Sequence, residues 1–246
     1  ELQQKVKGAM IYPLIVLGMT SVEVLGVVYF LLPRLDSMFS TFGELPAFTK
    51  VILDAAKFIR DNTVSLLLIL IVFIITLSLF LNKTKIGKRI KNWFALNFPV
   101  FKNLNKNTIL SNFSQTFALL LENGIPITKA LEIAAETSDN VYYQESLAKI
   151  NESVQGGLSM AQSMEKFPKY FPPTYSKMVE IGEQTGSLSE TLLYVHEFYA
   201  EEAAEVSNNL ATLLEPILLI FIGVMIGGLA MIIIGPIYQL MGTING

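Results

Sequence analysis

"IGEQTGSLSE", residues 181–190, sets two glycines beside a threonine and two serines in a stretch whose flanks read as helix. Such a run is either a loop that cradles a phosphate or a corner between two helices. A nucleotide-binding phosphate loop needs a lysine directly after its second glycine and a β-strand before its first. Here Ser187 follows Gly186, and the pattern before Gly182 is helical. The residues therefore read as a corner. Gly186 can take the positive φ that closes a helix. Ser187, with Glu190 three residues on, has the S-x-x-E spacing of a capping box for the next one.

Working outward, residues 100–212 show the helical period and no sustained alternation. "TILSNFSQTFALLLENG", 108–124, puts Phe113, Phe117, Leu120 and Leu121 on one face and ends at Gly124. Pro126 opens a second helix that buries Ile127, Leu131, Ala134 and Ala135. A third covers Val141 to Gln155 and stops at Gly156–Gly157. Ser159 with Gln162 starts a short fourth, "FPKYFPP" at 167–173 is a break, and a fifth runs from Thr174 to Gln184. The sixth begins at Leu188 and continues past Leu210 into an apolar segment, with Pro216 as its expected kink. A helix continuous from bundle to bilayer can carry a rigid-body movement.

Composition adds the membrane. The 246 residues are 52% hydrophobic, with a mean hydropathy of +0.49. The excess lies in three blocks, Ile11–Leu32, Val64–Leu81 and Ile217–Ile237, each near the ~20 residues a bilayer core requires. Lys83, Lys85, Lys88, Arg89 and Lys91 follow the second block and place its end in the cytoplasm; contact with anionic lipid comes with them. Arg34, Lys50, Lys57 and Arg60 on the other side are balanced by Asp36, Glu44, Asp54 and Asp61. Thr49 reads as the N-cap of a short amphipathic helix there, with Val51, Ile52, Ala55, Phe58 and Ile59 at helical spacing.

The expected organisation is all-α. Residues 1–10 form the cytoplasmic end of a preceding helix, 11–32 a first transmembrane helix, and 33–62 an external loop. Residues 63–81 form a second span, 82–212 a cytoplasmic six-helix bundle, 213–237 a third span, and 238–246 an external tail. The opening "ELQQKVKGAM" lacks a methionine and begins inside a helix-like run, so a domain is expected upstream of it. It does not read as a signal peptide, because the apolar block behind it is too long and has no small-residue cleavage site.

Several chemistries are excluded. With no cysteine there is no disulfide or thiolate site, and the single histidine, His196, rules out a metal site or triad that needs two. A net charge of -3 gives no reason to expect nucleic acid.

Short motifs in fixed order carry a family likeness. They are "KGAMIYP" at 7–13, "LPAFT" at 45–49, "FALLLENGIPITKAL" at 117–131, "FPKYFPP" at 167–173, "GEQTGSL" at 182–188, "LEP" at 214–216 and "GPIYQL" at 235–240. Together they resemble the inner-membrane platform proteins of type IV pilus and type II secretion systems, the F-domain family. The resemblance implies three spans and two homologous cytoplasmic helical domains, of which this sequence holds one and lacks the amino-terminal repeat. It implies a multimeric, non-enzymatic scaffold in the bacterial inner membrane, without a cofactor. Its partners would be pilins or pseudopilins, a cytoplasmic hexameric assembly or retraction ATPase, other inner-membrane assembly proteins and the lipid bilayer.

The candidate coupling residues divide by place. Glu23 sits mid-span, where a carboxylate costs roughly 2.5–3.5 kcal/mol on insertion scales and so faces protein or water; it either meets an incoming pilin helix or bonds within the scaffold near Thr20. Gly182, Glu183 and Gly186 belong to the corner. Glu197, Glu201 and Glu205 repeat at i, i+4, i+8 on one helix face, a solvated face or a docking strip for a basic partner. His196 reads as an ordinary helix residue. Glu215 and Pro216 stand at the mouth of the third span, and Gly223 and Gly227 have the spacing of a close helix contact. Two rival readings fit less well. A small-molecule transporter would show inverted repeats and broken spans. A carboxylate enzyme would need a close acid–base pair, and Glu23, Glu183 and Glu215 fall at different depths.

Overall fold

The computed structural model describes residues 2–34 and 47–244. Among these the chain is helical throughout, with no strand. The helices are α1 (Leu2–Gly26), α2 (Ala47–Asp61), α3 (Thr63–Lys83), α4 (Lys85–Asn97), α5 (Pro99–Glu122), α6 (Ile127–Glu136), α7 (Val141–Gln155), α8 (Met160–Glu165), α9 (Pro173–Thr185) and α10 (Leu188–Ile244). A π-helical stretch, Val27–Leu31, continues α1. The chain divides into two compact units, one made chiefly of Ser78–Leu210 and the other of Gly8–Leu77 with Ala211–Gly246.

The first unit is the bundle, and its core is aromatic. Phe113 and Phe117 stack at 5.6 Å. Phe171 sets its edge against Phe113 and Tyr143 and tilts against Tyr175 at 5.6 Å. The "FPKYFPP" break is thus a plug, not a surface loop, because Phe171 is 1% exposed. Large rings bury much apolar area, and edge-on pairs add a little beyond it. Their polar ends are satisfied: Tyr143 donates to the Tyr170 carbonyl at 2.9 Å. Ser114 donates to the Leu110 carbonyl, so Tyr175 is the donor to Ser114 at 2.8 Å. Burial pushes both phenols well above the ordinary tyrosine value.

Local signals placed most turns. Gly124 and Gly186 take φ of 75° and 71° as left-handed residues, and Gly157 takes 91°. Ser159 caps α8 from the Gln162 amide at 3.1 Å. Four details differ from the sequence reading. α4 precedes the six expected helices, and α5 begins at Pro99, well before Thr108. Ile127 lies exposed, because α6 turns Ala130, Leu131, Ala134 and Ala135 inward. The Ser187 hydroxyl pairs with Thr185 Oγ1 at 2.7 Å and so does not close the box with Glu190.

Among the described residues, two helices are long and apolar enough to cross a membrane, Ile15–Arg34 and Thr63–Lys83. The apolar stretch Pro216–Gly228 of α10 is shorter. The external-loop expectation lies partly outside the described residues. Its helix begins at Ala47, two residues before the expected Thr49 cap. Leu53 and Ala56 of α2 pack with Leu32, Val27 and Val28, while Val51 and Phe58 of the expected stripe stay exposed. The Tyr29 hydroxyl meets that of Thr63, tying the end of one apolar helix to the start of the next.

Candidate functional site

The 182–188 corner is built by close approach. A Cβ on Gly182 would lie 2.9 Å from Thr191 Cβ and 3.2 Å from Leu188 Cα, so only glycine lets α9 meet the first turn of α10. Gly186 then supplies the left-handed residue that turns the chain, and Leu188 enters the core. Glu183 has a role its local sequence did not reveal. Its two carboxylate oxygens accept the backbone amides of Met160 at 2.6 Å and Ala161 at 2.9 Å. With Ser159 on the Gln162 amide, the opening amides of α8 are satisfied by one carboxylate and one hydroxyl. A negative group at a helix N-terminus also opposes the positive end of its dipole. The corner therefore clamps α8, α9 and α10 together. No short motif could have announced it, since Glu183 and Met160 are separated by 23 positions.

On α10, Leu192, Val195, Tyr199, Ala203 and Ser207 face inward, and Glu197, Glu201 and Glu205 stay exposed on the other side. His196 does more than fill a helix position. Its Nδ1 stands 2.8 Å from Ser111 Oγ, and Ser111 Oγ donates to the His196 carbonyl at 3.2 Å, which joins α5 to α10. Reading the sequence also missed a basic crevice of about 190 Å³ in the bundle, lined by Lys102, Lys106, Lys169 and Tyr170. Burial, and then the charge of Lys102, hold Lys106 below the ordinary lysine value.

In the second unit Glu23 is exposed, and Thr20 spends its hydroxyl on the Val16 carbonyl at 2.9 Å, so the expected Thr20 partnership is not formed. Gly223 and Gly227 have open space where a Cβ would stand, and Pro216 is exposed. Glu215 lies within α10, and its side chain falls outside those described. Val24, Val28, Leu32, Ala56, Val224 and Met225 line an apolar crevice of about 250 Å³. Among the candidates, Gly182, Glu183 and Gly186 come together at one corner, and Glu197, Glu201 and Glu205 line one exposed face of α10.

A family model described as "Type II secretion system (T2SS), protein F" matches residues 113–236, half of the chain and all of the corner. The chain is similar to the type IV pilus assembly protein PilC of Thermus thermophilus, 34% identical over 100% of this chain and 60% of that protein. It is similar to PilC of Pseudomonas aeruginosa, 28% identical over 100% of this chain and 65% of the relative. Type II secretion system protein F of Pseudomonas aeruginosa is 27% identical over 97% of this chain and 58% of its own length. The chain therefore spans about 60% of the length of such relatives. By the match to its bundle and nearly all of its last apolar segment, the chain belongs to the type II secretion system protein F family.

Proposed function

We propose that this chain is the membrane-embedded portion of an inner-membrane platform protein that serves assembly of a type IV pilus or a type II secretion pseudopilus. The observation that carries it is the family match over residues 113–236. The names of the relatives, pilus assembly and secretion, agree with it. In this reading three spans anchor a cytoplasmic six-helix bundle, extended by α4. The bundle passes movement from a hexameric ATPase to the pilin being raised or withdrawn. The work is mechanical and not catalytic. A bundle clamped at Gly182–Leu188 suits that task, because rigid packing transmits displacement where loose loops absorb it. Glu23, exposed on an apolar helix, suits contact with a client helix or with a second copy, since a carboxylate there is stabilised only by a polar partner. Crosslinking in native membranes is the test. Recovery of a pilin or pseudopilin and a hexameric ATPase with the chain is expected. Recovery of neither, from cells that are making filaments, would end the platform reading.

A further inference from the structure

We propose that α4, with Phe98 and Phe101 behind it, lies against an anionic membrane leaflet as an in-plane anchor. The proposal rests on the membrane-platform reading and adds to it a defined lipid-contacting surface.

One residue separates α3 from α4, and the corner is tight. The Thr84 hydroxyl accepts the Gly87 amide at 2.9 Å and donates to the Phe80 carbonyl at 2.7 Å. A Cβ on Gly87 would stand 2.1 Å from the Phe80 carbonyl oxygen, so the turn requires glycine. The chain leaves a 21-residue apolar helix and enters a 13-residue amphipathic one at once.

Ile86, Ile90, Trp93 and Phe94 recur at i, i+4, i+7 and i+8, on one face of α4. They are 68%, 42%, 50% and 54% exposed. Phe98 and Phe101, stacked at 6.0 Å, extend the apolar surface and are also about half exposed. The bundle takes Asn92 and Leu96 from another side of the helix and leaves these six outside. Charge gives the second, independent argument. From residue 62 to 121 there is no Asp or Glu, while seven Lys or Arg occur, five of them between 83 and 91. Lys91 flanks the apolar stripe on one side; Arg89, on the other, pairs with Glu145 of α7 at 2.5 Å, so the charge offered to a leaflet comes from Lys83, Lys85, Lys88 and Lys91.

An anionic bilayer surface satisfies all of this. Aromatic and aliphatic side chains settle at the boundary of headgroups and acyl chains, with Trp favoured there. Lys and Arg meet the headgroup phosphates. An acidic protein would answer the bases, but α4 directly follows a candidate span, which keeps lipid beside it.

Trp93 is the sole tryptophan of the chain and sits in the middle of the face, so the protein carries its own probe. The full chain is reconstituted into phosphatidylcholine vesicles with and without phosphatidylglycerol, using brominated acyl chains as quenchers and iodide as the aqueous one. Flotation with the vesicles checks insertion separately. The expected result is blue-shifted Trp93 emission, quenched by bromolipid, shielded from iodide, and more so with phosphatidylglycerol. The double variant Ile90→Asn/Phe94→Asn should lose most of the bromolipid quenching while its helical circular dichroism is kept. Floating protein whose Trp93 is open to iodide and untouched by bromolipid would overturn the anchor and leave the platform reading intact. Shielding from both quenchers would assign the face to protein, a second copy or a partner, and would overturn it equally. Failure to float would remove the membrane reading and the anchor with it. Unchanged quenching in a helical double variant would also overturn the anchor.

Discussion

At the scale of single residues, the 182–188 corner shows how small chemical differences hold a helical bundle. Gly182 is there for what it lacks. Replacing it with Ala places a methyl 2.9 Å from Thr191 Cβ, which cannot swing away as a long side chain would. Overpacking of this kind costs about 1–3 kcal/mol, more than the helix propensity that alanine gains. Gly182→Ala is therefore expected to lower the thermal midpoint of the full chain in detergent, and an unchanged midpoint would show the contact to be slack. Glu183→Gln tests the opposite kind of contribution. It keeps the shape, weakens two charge-assisted bonds to the Met160 and Ala161 amides, and turns one acceptor into a donor that faces a donor. The expected loss is about 1–3 kcal/mol, with exchange of the α8 amides accelerated beyond those of α6. Equal exchange in both helices would mean that α8 does not depend on the clamp.

At the scale of elements, the bundle depends on buried rings whose hydroxyls must stay neutral. Burial raises Tyr143 and Tyr175 in the folded state, so the folded protein holds these protons more tightly than the unfolded chain. Their stabilising contribution is complete below the ordinary phenol value, about pH 10. It declines as pH rises above that value, where the unfolded chain releases the protons first. The urea midpoint should hold steady up to about pH 9 and fall by about pH 11. Tyr175→Phe should soften that fall. α10 illustrates a second rule of elements. Its inward residues Leu192, Val195, Tyr199, Ala203 and Ser207 fix which way Glu197, Glu201 and Glu205 look. The acid strip is thus a consequence of packing, with the like-charge spacing tolerated because each carboxylate is exposed.

At the scale of the whole molecule, Gly223 and Gly227 offer a test of assembly. Among the described residues nothing lies within 4 Å of a Cβ built on either, which leaves their smooth face open to a second copy or a client helix. Gly227→Ile is expected to leave the melting of the bundle unchanged and to shift the detergent-solubilised oligomer toward smaller species on a sizing column, because bulk at a small-residue seam holds helices apart. An oligomer of the same size would place the seam elsewhere.

Much of the architecture was written locally. The all-helical class, the helix ends at Gly124, Gly157 and Gly186, the start of α8 at Ser159 and the two long apolar helices follow from propensity, positive φ and segment length, which act over a few residues. α4 escaped because its bases read first as a topology signal, and its apolar face points away from the bundle and so adds no core periodicity. The Glu183 clamp, the Phe171 plug and the His196–Ser111 link were decided only in three dimensions. Each joins residues far apart in sequence, and a carboxylate or an imidazole on a helix gives no sign of which distant amide or hydroxyl it will meet until the chain has packed.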